Sequence, residues 1–192
     1  MTVKAVTLAL MAVFYICYFA KMLDQKKKGI DTDQLGKGKE GFARFIETAL
    51  KTTTYIIPVI QVVSIVIDRQ NRLGWVQAAG VAVTAAGVLS FILSVTHMKD
   101  NWRAGVQKDA ETSLVTDGIY SISRNPAFLG FDLMYIGILI SFFNICLATA
   151  TAAALVLFHL QIVNVEEEFL SQVFGQEYRD YRNSVCRYLG RK

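Results

Sequence analysis

AFLGFDLMYIGILISFFNICLATATAAALVLFHLQIVNVEEE, residues 127–168, decides the fold. It contains no Lys or Arg, and a single acidic residue, Asp132, interrupts it before three glutamates close it. A helix needs about 20 mostly apolar residues to cross a hydrocarbon core, because its backbone amides must be satisfied within the helix. The stretch holds two such segments, Ala127 to Phe143 and Ile145 to Val165, separated by little more than Asn144, and predicts a tight antiparallel helical hairpin.

Three earlier segments extend the pattern: residues 5–23, 45–67 and 76–98. The first has no small-residue cleavage site and runs into Lys21 and Lys26 to Lys28, so it reads as a retained span. The second carries Glu47, Lys51 and the threonines Thr52 to Thr54 at its start and Pro58 inside, predicting a kink. The third is rich in Ala and Gly, which lets neighbouring helices approach closely. With 53% hydrophobic and 19% charged residues and a mean hydropathy of +0.36, the expectation is an all-α integral membrane protein. The whole chain, 1–192, reads as one domain of five transmembrane helices, with a cytosolic loop and a C-terminal amphipathic helix forming a pocket.

Seventeen of the twenty Lys and Arg residues flank one side of this arrangement, and only Lys4, Arg69 and Arg72 the other. The expected orientation is N-terminus outside and C-terminus cytosolic, in a bacterial inner membrane or the endoplasmic reticulum. The net charge of +4 is then a matter of topology, and no aromatic-interleaved basic stripe suggests nucleic acid. Cys17, Cys146 and Cys186 form no CxxC pair, and His97 and His159 are far apart, so no metal site is expected. Asp24 to Gly41 reads as a polar loop without chemistry of its own. Alternation from Ser113 to Tyr120 around Asp117-Gly118 predicts a short extended piece and a turn. Apolar residues spaced by three and four from Phe169 to Val185 predict an amphipathic helix bent near Gly175.

Two strings carry a resemblance: LVTDGIYSISRNPAFLG (Leu114 to Gly130) and EEEFLSQVFGQEYRDYRNSVCR (Glu166 to Arg187). They resemble the isoprenylcysteine carboxyl methyltransferase and phospholipid methyltransferase superfamily of membrane enzymes over roughly the last 90 residues. The resemblance implies S-adenosylmethionine bound between the last two spans, the preceding loop and the tail. It assigns cofactor contacts to Gln107, Thr112, Ser113, Leu114, Val115, Gly118, Tyr120, Asn125, Pro126, Ala127 and Phe128. Glu167, with Glu166 as the alternative, would hold the ribose or amino group.

Arg124 suits a carboxylate because its fork binds one bidentately, and it joins Glu167 as a catalytic candidate. Asp132, His159, Gln161 and Asn164 are candidates for the substrate side. The family's Arg-His-Pro is Arg124-Asn125-Pro126 here, its following Tyr is Phe128, and its Arg before the acidic cluster is missing among Gln161 to Asn164. The expected reaction is methylation of a small or lipophilic acceptor, a carboxylate, thiol or lipid amine, with membrane lipid as the surroundings. An NADPH-dependent membrane sterol or steroid reductase and a non-catalytic lipid-binding scaffold are the alternatives.

Overall fold

A computed structural model describes residues 2–69, 74–105 and 113–192. Among these residues are six α-helices: α1 (Val3–Lys27), α2 (Gly41–Ile67), α3 (Gly74–Met98), α4 (Pro126–Ser141), α5 (Ile145–Gln161) and α6 (Glu167–Ser184). Short 3-10 turns occupy Lys99–Asn101 and Gly118–Ser121, and a π-helical turn, Ile162–Glu166, joins α5 to α6. No strand occurs among the described residues, only the isolated bridges Asp33 to Ala104 and Val185 to Arg191.

Among the described residues, four helical stretches are long and apolar enough to cross a membrane: Val3–Lys27, Gly41–Ile67, Gly74–Asn101 and Ile145–Ser184. The fifth expected span differs. α4 has 16 residues, and at 1.5 Å per residue it rises only about 24 Å, short of a core of about 30 Å. Its end at Ser141 follows from the hairpin, since Asn144 turns back to accept the Leu147 amide at 2.9 Å and caps α5. The short link itself matches the sequence expectation.

α4 survives in this setting because it packs against α3 almost backbone to backbone. A Cβ on Gly87 would stand 2.5 Å from the Met134 amide nitrogen and 2.7 Å from the Gly130 carbonyl oxygen. A Cβ on Gly130 would meet the Gly87 carbonyl and Phe91 at 2.9 Å. One repeat further along, Gly80 faces Gly137 and Ser141, and Gly137 faces Thr84. Glycines seven residues apart on both helices thus form one seam, the small-residue packing that the third span's composition suggested.

The ends of the bundle differ in character. At one, the Lys4 ammonium donates to the Asp68 carbonyl at 2.6 Å, tying the start of α1 to the exit of α2. At the other, the two long loops are laced together. Gln34 N–H donates to the Ala104 carbonyl at 2.8 Å, Ala104 N–H to the Thr32 carbonyl at 2.9 Å, and the Gln25 amide to the Trp102 carbonyl at 2.7 Å. Glu47, fully buried on α2, accepts the Gly36 amide at 2.6 Å and pairs with Lys39. The loop that sequence reading left without a role is therefore a roof. Beneath it lies an aromatic core in which Phe14 and Phe91 centroids are 4.3 Å apart and Phe131 and Phe158 are 5.2 Å apart.

The seam makes a sharp mutational contrast. Gly87→Ala is expected to destabilise the folded protein by about 1–3 kcal/mol through overpacking. Gly74→Ala, where an added Cβ meets nothing within 4 Å, leaves the thermal midpoint of the detergent-solubilised protein unchanged.

Candidate functional site

The polar end of the bundle is organised by where α4 begins. Pro126 sits at its first position, where a missing amide proton costs nothing. Its carbonyl accepts from Ser90 Oγ at 2.8 Å, anchoring the turn to α3. Just before it, Arg124 and Asn125 are 8% and 9% exposed and face the tail. Arg124 donates from Nε to the Val185 carbonyl at 3.1 Å and from Nη1 to the Tyr178 hydroxyl at 2.8 Å. Asn125 donates to the Arg187 carbonyl at 3.1 Å.

Glu167 is the carboxylate at the centre. Arg124 Nη1 lies 2.8 Å from its Oε1. Arg187 donates to both oxygens, Nε to Oε1 at 2.8 Å and Nη2 to Oε2 at 3.0 Å. Burial by itself would raise this carboxyl. The Arg187 hydrogen bonds, with the charges of Arg124, Arg187 and Arg182, outweigh it and hold Glu167 below the ordinary range.

Around this clasp the tail is fastened at further points. Tyr181 donates to the Tyr120 carbonyl at 2.7 Å, and the Tyr120 hydroxyl shares a 2.6 Å hydrogen bond with Ser94. Gly190 N–H donates to the Ile122 carbonyl at 2.7 Å. Leu114 packs against the Tyr178, Tyr181 and Val185 cluster. Gly118, at φ +56°, lies against His97 so closely that a Cβ would collide with the imidazole, so the Asp-Gly turn is a packing point. Gly175, at φ 52°, breaks α6 where the bend was expected.

The π turn sets consecutive glutamates in different surroundings. Glu167 turns to the arginines, whereas half-buried Glu166 accepts from Gln161 Nε2 at 3.4 Å and lies within the electrostatic reach of Lys39, Glu47 and Tyr120. Gln161, fully buried, also donates to Glu47 at 3.0 Å. Asn164 donates back to the Leu160 carbonyl at 2.9 Å. On the opposite side of α5, exposed His159 shares a 2.7 Å hydrogen bond with Tyr188. Burial, and then the nearby charge of Asp132, raises that tyrosine.

A cavity of about 340 Å³ opens beside this cluster. Ala127 and Phe128, from the second half of the turn, form part of its wall with Phe131 and Phe158. α1 contributes Tyr15, Tyr18 and Met22, and α2 contributes Leu50, Thr54 and Pro58. Asp33, Leu35, Arg103 and Ala104 close it from the roof, where Lys51 and Asp33 pair at 2.5 Å. None of Asp132, His159, Gln161 and Asn164 lines it.

The sequence candidates thus fall into groups. Arg124, Asn125 and Glu167 meet in the clasp, Tyr120 is tied to the tail through Tyr181, and Pro126 is anchored to Ser90; Ala127 and Phe128 meet the cavity; Glu166 and Gln161 meet at the foot of α2. Ser113 is exposed, its hydroxyl accepting from Asn101 at 2.9 Å, and Val115 is half-buried. Gln107 and Thr112 lie outside the described residues. Sequence reading missed Arg187 and Tyr178. Both stand inside the second quoted string, and the three-residue aromatic step from Tyr178 to Tyr181 was their only local signal. No group of three His, Cys, Asp or Glu that could hold a metal occurs among the described residues.

A family model described as phospholipid methyltransferase matches residues 75–177. Protein-S-isoprenylcysteine O-methyltransferase A of Arabidopsis thaliana is 30% identical over 107 residues, covering 56% of this chain and 52% of that protein. The protein-S-isoprenylcysteine O-methyltransferase of Tribolium castaneum is 30% identical over 118 residues, 60% of this chain and 42% of the relative. That of Saccharomyces cerevisiae is 34% identical over 79 residues, 41% and 33%. The chain spans about half the length or less of these curated relatives.

The clasp predicts an acid-labile tail. Because the folded Glu167 sits below its ordinary value near 4.5, its contribution is complete above that value and is lost as pH falls through the lower, folded one. Proteolytic cleavage within residues 167–192 should accelerate over that acidic window. Glu167→Gln should remove the acid step and, by leaving two arginines without their carboxylate, cost about 3–5 kcal/mol.

Proposed function

This chain belongs to the phospholipid methyltransferase family, and from that premise we propose that it transfers a methyl group from S-adenosylmethionine to a lipophilic acceptor held within the bilayer. The reading rests on one juxtaposition: the Arg124 to Phe128 turn touches the charged tail clasp at its start and walls the apolar cavity at its end. A methyl donor seated at the turn would adjoin an acceptor lying in the cavity.

The residues present suit that cofactor. Glu167 is occupied by two arginines, so its part is to brace the tail. Glu166 is the better partner for the donor's ammonium or ribose, because among the described residues its hydrogen bond is a single long one from Gln161. Phe128 offers an aromatic face to a sulfonium cation. When bound, S-adenosylmethionine supplies an electrophilic methyl on a cationic sulfur.

The protein's work is then positioning and drying. Reacting atoms must be held about 3–3.5 Å apart and in line. Attack by an anion on a cation disperses charge, so the water-poor aromatic walls of Phe128, Phe131 and Phe158 favour it. A carboxylate acceptor needs no base, while a thiol or lipid amine would have to lose a proton to a neighbouring carboxylate. Lys51 and Arg103 at the roof would attract an anionic head, and the roof itself keeps bulk water from the chamber.

We place the roofed end in the cytosol, since the great majority of Lys and Arg flank that side. α4 is the fifth crossing, its short length covered by the seam with α3. The relatives' printed substrate, an S-isoprenylcysteine, is a lipophilic carboxylate and fits an aromatic chamber of this kind.

Isothermal titration of the purified protein tests the reading. S-adenosylhomocysteine should bind, NADPH should not, and Glu166→Gln should weaken binding about tenfold, about 1.4 kcal/mol. Incubation with methyl-labelled donor and membrane extract should label a lipid-soluble product. Binding of NADPH with none of S-adenosylhomocysteine would replace this reading with the reductase.

A further inference from the structure

Away from the roof, beyond most of the residues that line the cavity, the core holds polar atoms that its apolar surroundings do not suggest. Tyr15 Oη, Tyr135 Oη, Thr151 Oγ1 and both polar atoms of the Gln61 amide are buried without a hydrogen-bond partner. Gln61 and Tyr135 are 0% exposed, and Thr151 is 1% exposed. Orphaned groups of this kind are few in folded proteins, because each gives up its hydrogen bonds to water and gains none in return unless something meets it.

Their positions follow a rule. Tyr15 stands seven residues from Met22, and Tyr135 seven from Phe128. Gln61 stands seven from Thr54, and Thr151 seven from Phe158. Met22, Thr54, Phe128 and Phe158 all line the cavity. Seven residues make two turns, which returns a side chain to nearly the same face about 10 Å along the axis. On all four helices the step leads away from the roof. These four side chains therefore stand at about one level on α1, α2, α4 and α5, whereas the unmatched Asp132 Oδ1 and Gln161 Oε1 lie elsewhere on α4 and α5. Tyr15 itself lines the cavity. Its hydroxyl and that of Tyr135 approach as hydrogen-bonding neighbours without reaching the geometry of a bond.

We propose that this layer reads an oxygen atom at the far end of the ligand, so that the cavity selects a lipophile bearing a hydroxyl or carbonyl about 10 Å from its reacting head over an unadorned hydrocarbon chain. The proposal rests on the reading that the cavity takes the methyl acceptor, and it adds a second point of recognition at the opposite end. Two phenol donors from different helices, with an amide and a threonine hydroxyl at the same level, can satisfy a hydroxyl or a carbonyl oxygen. A saturated chain end leaves all of them unmet, which is how a polar site rejects an analogue lacking its oxygen.

Decanoate and 10-hydroxydecanoate are matched probes, identical except for the terminal hydroxyl. Ligand-induced thermal stabilisation of the full chain in lipid nanodiscs should show the hydroxylated acid binding at least fivefold more tightly. Tyr15→Phe and Tyr135→Phe, each removing one oxygen and no volume, should each bring the two probes to parity. The stabilisation by S-adenosylhomocysteine should be unchanged in both variants. Equal binding of the probes to the unmodified protein, or a preference that survives both substitutions, would overturn the proposal. Failure of both probes with S-adenosylhomocysteine still binding overturns it while leaving the methyltransferase reading intact; failure of all three ligands removes both.

Discussion

One carboxylate between two guanidinium groups holds the functional end together. Glu167 begins α6, Arg124 precedes α4, and Arg187 lies beyond the end of α6, so the ion cluster closes a loop of chain at both ends. Buried charges are tolerated only when paired and hydrogen-bonded, and here Glu167 accepts from Arg187 and pairs ionically with Arg124, whose donors go to Tyr178 and the Val185 carbonyl. Without this clasp the tail would keep only its neutral fastenings, the Tyr181 and Gly190 hydrogen bonds and the Leu114 contact. With it, α6 and the segment after it are pinned to the turn that walls the cavity.

The two halves of the site are built by opposite means. The α3–α4 side is brought close by removing side chains, with glycines facing glycines until backbones touch. The α1–α2 side is held apart by bulk, with Tyr15, Tyr18, Tyr55 and Trp102 lining an open space. Tight packing on one side and large rings on the other leave a chamber, since α4 cannot move toward α1 without leaving its seam. The roof over it comes from hydrogen bonds joining residues some seventy positions apart in the chain, such as Gln34 with Ala104.

That distance explains what the sequence could and could not convey. The α4–α5 hairpin, the break at Gly175 and the closeness of the Ala- and Gly-rich third span were legible because each is a local matter of periodicity, turn chemistry or side-chain size. The Arg124 and Glu167 pairing was suggested only in part, as two residues of one site, since nothing in spacing says that they touch. Asp24 to Gly41 read as solvated loop because its composition is polar, and its real partners lie beyond α3. The shortfall of α4 was hidden because apolar residues continue past its last helical residue into Phe142 and Phe143. Whether Glu166 or Glu167 faces inward was open in the sequence because a π turn leaves no mark on an apolar pattern.

That turn has a consequence for how the chain tolerates change. A π segment carries one residue more than the α-helix would need, and the surplus sits between α5 and α6. Deleting a single residue there would remove the surplus and leave ordinary helix, with everything downstream in its present phase. Straightening the π turn into α-helix at its full length would instead rotate Glu167 by about 100°, out of reach of both arginines. The junction thus tolerates the loss of its surplus residue and not the regularisation of its turn.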